Sequence, residues 1–238
     1  MSRALLAAFL LACACVTHAK PVRVLVIGNE LVAHARIPER LEQVAKAMGR
    51  DARVESLTVT GRTLADHWAD PRVRAEVAKG WDHVVLQQGP SAFPEERAQL
   101  AADARRFAGA IRAAGGKPAL LMAWPRNDRR SEFPAAIAAA RAAAGASGAA
   151  LIPVAETWLR TLSQDPRVEL YAGPSSASPL GTDLAVLTAW FALFPAGPQE
   201  FDDAYLARLG RALDMDTAHI ERYVDAATRA IDEPLRLP

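Results

Sequence analysis

Short β-branched runs alternating with longer helical patterns constrain this 238-residue chain more than any other feature. The first run, residues 22–27, reads Val-Arg-Val-Leu-Val-Ile and ends at Gly28-Asn29. A second, less apolar run spans residues 52–58, and a third spans 84–87 after Trp81-Asp82. The fourth and fifth span 119–122 and 149–154. Helical patterns occupy residues 37–48, 64–79, 95–114 and 131–144, then about 180–194 and about 202–232. Strands alternating with helices of this length are βαβ units, and right-handed crossovers turn such units into a parallel sheet with helices on both faces. The expectation is an α/β chain, a three-layer α/β/α sandwich around a five-stranded parallel sheet. No internal repeat or long linker interrupts it. The Ala-rich stretch at 135–150 is expected to be helix closed by Gly145 and Gly148 rather than low-complexity chain.

The N-terminus has a different character. Arg3 precedes an apolar run over residues 4–16, and Thr17-His18-Ala19 offers small residues for cleavage. That is the pattern of a secretory signal peptide, too short for a confident membrane span. Residues 1–19 are therefore expected to be a signal peptide and 20–238 a single exported domain, periplasmic or secreted. Leu10-Leu11-Ala12-Cys13 loosely resembles a lipobox, but Leu11 fits poorly and the apolar run continues past Cys13, so ordinary cleavage near Ala19 is favoured over lipidation.

Cleavage removes both cysteines, Cys13 and Cys15. The remaining 238 − 19 = 219 residues would hold no disulfide, no thiol nucleophile and no Cys-based metal site, so a packed core must supply the stability. Removing Arg3 takes 28 Lys+Arg to 27, against 27 Asp+Glu. That balance gives no support for binding nucleic acid or an anionic membrane. No cofactor is implied, and the oligomeric state is left open.

In open parallel sheets ligands bind beyond the carboxyl ends of the strands. The segments at that edge are residues 28–35, 59–63, 88–93, 123–128 and 170–181. In the first, Gly28 permits a sharp turn and close backbone approach, and Glu30 follows two positions on. Glu30 either faces the crevice or simply sits in a first helical turn, where a carboxylate suits the helix dipole. Composition does not separate the two.

Gly28-Asn29-Glu30-Leu31 resembles the Gly-Asn-Ser-Leu block of SGNH/GDSL hydrolases, in which the serine is the nucleophile. Gly61-Arg62-Thr63-Leu64-Ala65-Asp66-His67-Trp68 is similar to the second block, whose glycine amide helps build the oxyanion hole. Trp81-Asp82-His83-Val84-Val85-Leu86-Gln87-Gln88-Gly89-Pro90-Ser91 resembles the third. The likeness continues through residues 118–124, 153–158, Leu170-Tyr171 and Ser178-Pro179-Leu180-Gly181. It covers nearly the whole mature chain and implies the flavodoxin-like SGNH-hydrolase fold and a small ester or carbohydrate ligand.

The departures fall on the chemistry. Glu30 stands at the nucleophile position. The family's Asp and His precede the Ser-Pro-x-Gly segment, and anchoring there puts Gly173 at the Asp position and Ser176 at the His position; residues 171–181 contain neither Asp nor His. Ser–His–Asp chemistry needs a base and a carboxylate to orient it, and losing the triad costs on the order of 10⁶ in rate. A carboxylate in the nucleophile's place would rest in the oxyanion hole, accepting from the Gly61 N–H. The expectation is a catalytically inactive pseudo-hydrolase keeping an ester- or carbohydrate-binding crevice. The alternative is an active ester hydrolase, of esterase or acetylesterase type, with a rearranged site using Glu30.

The surviving crevice would comprise Gly28, Asn29, Glu30, Gly61, Gln88 and Ser91. Either Gln88 or Ser91 would replace the family's side-chain donor, unless Gln87 and Gln88 only satisfy loop amides. Possible substitute acids for a two-carboxylate site are Glu156, Asp128 and Asp183. His67 is expected to cap or pack rather than act as a base; His34 and His83 to face solvent or cap; and His219 to lie on the terminal helix. Trp68, Trp124 and Trp158 would be helix–sheet core or, less favoured, a sugar-stacking wall. No metal is expected: no His-x-x-His occurs, and Asp214-Met215-Asp216 is placed in the terminal helix.

Overall fold

The computed structural model describes residues 20–195 and 201–236. The expected signal segment, 1–19, lies outside the described residues. Five parallel strands form one sheet: β1 (Val22–Gly28), β2 (Ala52–Thr58), β3 (His83–Leu86), β4 (Lys117–Leu121) and β5 (Ala150–Ile152). Their order is β2-β1-β3-β4-β5, and all pairings are parallel, with Val22 opposite Ala52 and Val24 opposite His83. This is the flavodoxin-like order, so the chain direction across the sheet reverses between β1 and β3. Strand β1 sits between two neighbours and under two helical layers, so Val24, Leu25, Val26 and Ile27 are all at most 1% exposed. Edge strand β2 alternates charged and apolar residues and stays partly exposed.

The helices are α1 (Glu30–His34), α2 (Ile37–Ala47), α3 (Leu64–Ala69), α4 (Pro71–Val77), α5 (Pro94–Ala113), α6 (Phe133–Ser147), α7 (Val154–Gln164), α8 (Pro179–Leu193), α9 (Asp203–Leu213) and α10 (Thr217–Asp232). Helices α3, α5 and α6 pack together in one layer, while α2, α7, α8, α9 and α10 pack together in the other. A 3₁₀ segment, Asn127–Glu132, leads into α6, which Gly148 closes in the left-handed conformation (φ 64°). No helix among the described residues is long and apolar enough to cross a membrane.

Three elements differ from the sequence expectation. The helix expected over 64–79 breaks at Asp70-Pro71, because a proline disfavours helical backbone in the residue before it; Asp70 is extended (ψ 116°) and caps α4 by accepting from Arg72 N. The terminal helix is two helices. Asp214 turns left-handed (φ 56°) to end α9, and Asp216 caps α10, so the Asp-x-Asp pair lies in an interhelical turn, not within a helix. Helix α7, unforeseen, starts directly after Pro153.

Helix α8 is buried on nearly every side, as a helix apolar all round must be. Its start is tightly fitted. Ser178 Oγ accepts from Gly181 N at 3.0 Å and donates to Glu169 O at 2.6 Å. A Cβ at position 181 would meet Leu170 O at 2.2 Å and the Trp158 ring at 2.7 Å. Because a backbone oxygen cannot swing aside, Gly181→Ala should destabilise the fold by about 1–3 kcal/mol, the usual range for overpacking, read as a lowered urea midpoint at unchanged m-value.

Candidate active site

The switch point between β1 and β3 places the Gly28–Glu30 loop beside the Gln87–Ser91 loop. Gln87 joins them. Its Oε1 accepts from Asn29 N at 2.9 Å and its Nε2 donates to Gln88 O at 2.7 Å, all in a fully buried position. A Cβ on residue 28 would lie 2.5 Å from that Oε1, so Gly28 is required by this clamp rather than by a ligand. Asn29 Oδ1 then accepts from Leu31 N at 3.1 Å and caps α1. Glu30 is thereby the first residue of a helix, as the dipole reading has it, and it also faces the neighbouring loop.

That loop follows β2. Gly61 adopts φ 72°, a backbone that side chains rarely tolerate, and its N–H donates to Glu30 Oε2 at 2.7 Å. The Gly61 amide is thus occupied by the chain's own carboxylate. Thr63 caps α3 with a capping box to Asp66. Gln88 Oε1 accepts from Leu64 N at 3.0 Å, its Nε2 donates to Ser91 Oγ at 3.1 Å, and Ser91 Oγ donates to Gly89 O at 3.2 Å. Gln88 and Ser91 therefore knit the loops to one another. The polar pair that ends the apolar third strand was the sequence signal for this, and both glutamines satisfy loop amides, the alternative the sequence left open.

His67 is 1% exposed, and its Nε2 lies 2.8 Å from Gly28 O. Burial is the main cause holding its pKa below the ordinary histidine value. It buttresses the first loop, in keeping with a packing role. His83 is half-buried on β3, with its pKa also lowered by burial, and His219 lies in the first turn of α10 against Asp216.

The loop that carries Gly173 and Ser176 folds back on itself through a Tyr171–Ala177 bridge and an Ala172 N to Ser176 O hydrogen bond of 2.9 Å. Trp124 and Trp158 stack at 4.5 Å, Tyr171 meets Trp158 edge-on, and Trp124 Nε1 donates to Ser175 O at 2.9 Å. Both tryptophans are at most 1% exposed, so they are core that anchors this loop and present no stacking face to a sugar. Trp68 is half-buried, edge-on to Phe107. Position 173 is open: a Cβ there would approach only Ser176 Cβ, at 4.0 Å.

The three substitute acids are each committed elsewhere. Glu156 is fully buried between Arg141 and Arg160 (3.3 Å) and accepts from Leu235 N, which ties the C-terminal residues to α6 and α7. Asp128 is exposed and paired with Arg126 at 2.9 Å. Asp183, in the first turn of α8, pairs with Arg40 of α2. No group of three metal-ligating side chains occurs among the described residues.

The class these features define is an α/β domain with its candidate site on the β1, β2 and β3 loops and the segment before α8. Comparison with solved structures gives that class a family. A protein from Slackia heliotrinireducens described as a candidate SGNH hydrolase superposes with TM-score 0.63 and 26% identity, over 73% of this chain and all of that one. TesA matches with TM-score 0.57 and 23% identity over 73% of this chain and 98% of its own. A variant of Axe2, an acetyl xylan esterase from Geobacillus stearothermophilus, matches with TM-score 0.56 and 13% identity over 72% and 94%. No protein-family model matches the sequence, and no curated protein does. The chain belongs with the SGNH/GDSL-like superfamily.

Burial pushes the Asp183 carboxyl up to about 6 from 3.8, outweighing the opposing pull of Arg40. The folded state therefore binds this proton more tightly than the unfolded chain. Its stabilising contribution is complete below pH ~4 and is lost as the pH rises through ~6, a change of roughly 3 kcal/mol. Denaturation between pH 4 and 7 should show that decline in the native protein relative to Asp183→Asn, which lacks it.

Proposed function

We propose that this chain is an exported SGNH-hydrolase-like protein, its first nineteen residues a signal peptide, that has lost the family's hydrolytic chemistry and uses the remaining crevice to bind an ester-bearing or carbohydrate-like ligand. The observation that carries the reading is the 2.7 Å hydrogen bond from Gly61 N to Glu30 Oε2. An oxyanion hole works because its donors are unoccupied until negative charge develops on the substrate. Here a ground-state anion already takes the glycine donor, and a substrate oxyanion would meet a like charge. Positions 173 and 176 hold Gly and Ser, so no imidazole stands by to accept a proton and no carboxylate to orient one.

Glu30 is also unsuited to a two-carboxylate mechanism with Glu156, Asp128 or Asp183, since each of those is already engaged by an arginine. The ester and sugar classes follow from structural relatives, among them an acetyl xylan esterase.

Short-chain aryl esters and acetylated xylo-oligosaccharides should give no turnover above background with the native protein. Turnover that disappears in Glu30→Gln would establish the alternative, an ester hydrolase using Glu30. The combined variant Glu30→Ser, Gly173→Asp, Ser176→His empties the hole and restores a base and its orienting acid, with open space for the new Cβ at position 173. It should gain measurable esterase activity, and even the hole and binding alone are worth ~10³–10⁴ over water. A folded triple variant with no activity would show that the hole is not competent.

A further inference from the structure

The loop after β3 is held firmly up to the start of α5. Ser91 adopts φ 55°, a left-handed backbone uncommon for a residue with a Cβ, and its Oγ is held by the Gln88 amide at 3.1 Å. The Ala92 carbonyl accepts from Arg97 Nε at 3.0 Å and Nη2 at 2.7 Å, and the Phe93 N–H donates to Glu96 Oε2 at 3.3 Å to cap α5. Fixed on both sides, Phe93 carries its ring half into solvent, 50% exposed. Among the described residues it is the one exposed aromatic side chain, and it packs against no other ring. Burial removed Trp124 and Trp158 as stacking surfaces; Phe93 keeps its surface free.

Residues on either side of Phe93 line a cavity of about 400 Å³, with Thr63, Gln88, Gly89, Ser91, Glu95 and Gln99 in its wall. That volume falls within the roughly 300–1,000 Å³ of small-molecule sites. Thr63, Gln88 and Ser91 spend their side-chain polar atoms on holding the loops. Three groups stay unused among the described residues: the Gly89 N–H, the Glu95 carboxylate, and Gln99 Oε1, whose companion Nε2 donates to Asp103 at 2.7 Å. One free donor beside two free acceptors matches hydroxyl groups, each of which both donates and accepts. No cation lines the cavity among the described residues, and Glu95 and Glu96 would repel an anion. A bare acyl chain would leave the three polar groups unmatched.

We infer that Phe93 is the platform on which a neutral pyranose sugar stacks, its hydroxyls turned to the Gly89 N–H, Glu95 and Gln99. The inference rests on the reading of this crevice as a ligand site, which Gln88 and Ser91 share with the cavity, and it selects the carbohydrate over the bare ester as the ligand class. A pyranose presents a flat face of weakly positive C–H groups, which suits the negative face of an aromatic ring, and keeps its hydroxyls at the edge. Because the loop is already pinned by Gln88 and Arg97, the platform needs no ordering when the sugar arrives.

Titration of the protein with xylotriose, glucuronate, choline and methyl butyrate, followed by calorimetry, tests this. Xylotriose should bind saturably and more tightly than the other three. Phe93→Ala should weaken xylotriose about tenfold, and Phe93→Leu, which keeps apolar bulk but no flat face, by a similar factor. Phe93→Trp should retain the affinity. The ring is exposed and position 93 caps α5 through its backbone N–H, so all three variants keep the cap, which circular dichroism checks. Undiminished xylotriose binding by Phe93→Ala, or binding of methyl butyrate but not of xylotriose, overturns the platform and leaves the crevice standing as a ligand site. Glucuronate or choline binding as tightly as xylotriose overturns the assignment of a neutral sugar. If neither xylotriose nor methyl butyrate binds, the platform and the crevice reading fall together.

Discussion

At the point where the sheet reverses direction, the ends of β1 and β3 are held to each other by one buried amide. Gln87 takes the Asn29 N–H on one side and gives its own N–H to Gln88 O on the other. Both loops are short, and the amide leaves no room for a side chain at residue 28. From that junction the rest of the site follows. Asn29 is fixed as a helix cap, Glu30 becomes the first residue of α1, and His67 closes over the Gly28 carbonyl. The second loop arrives through Val59 N, which also donates to Gly28 O, and brings Gly61 to Glu30. An unpaired buried amide at Gln87 would cost about 1–3 kcal/mol, which makes this geometry rigid rather than adjustable.

Rigidity decides what Glu30 means chemically. A carboxylate on a mobile loop could leave the glycine donor and admit a substrate. Here its backbone is pinned one residue after the clamped Asn29, at a helix N-terminus that favours its charge. Its oxygen and the Gly61 N–H are both set by glycine-dependent turns. The carboxylate and the donor therefore reinforce each other in the ground state, whereas catalysis rewards donors that bind only what develops in the transition state.

The βαβ periodicity carried the sheet, its five strands and most helices, because fully buried parallel strands are short β-branched runs and little else in this chain competes with that pattern. Helix junctions were harder to place. Asp70-Pro71 and Asp214 interrupt amphipathic patterns that run on across them, and apolar periodicity does not register a single capping residue. Helix α7 was hidden by Thr157 and Trp158, poor helix formers whose positions are settled by burial against α8 and the Trp124 ring. In the site, the sequence located the loops and the Gly61 partner of Glu30. It left open whether Gln87 and Gln88 only satisfy loop amides, since that depends on which side chains meet across loops more than twenty residues apart.

The distribution of these constraints explains why the resembling blocks persist in this chain. Ser178 and Gly181, the core of the last resembling block, cap α8 and admit the Leu170 carbonyl and the Trp158 ring. Gly28 makes space for Gln87, and Gly61 supplies a left-handed turn. All four are demanded by folding whether or not any reaction occurs. Positions 173 and 176 are different. Gly173 has open space around it, and the Ser176 hydroxyl makes no hydrogen bond among the described residues, so the fold is indifferent to what they carry. Block resemblance in this architecture therefore reports packing at the strand ends and the α8 cap rather than reaction chemistry. Residue 30 differs from both positions, because its carboxylate holds structure together by accepting from Gly61 N.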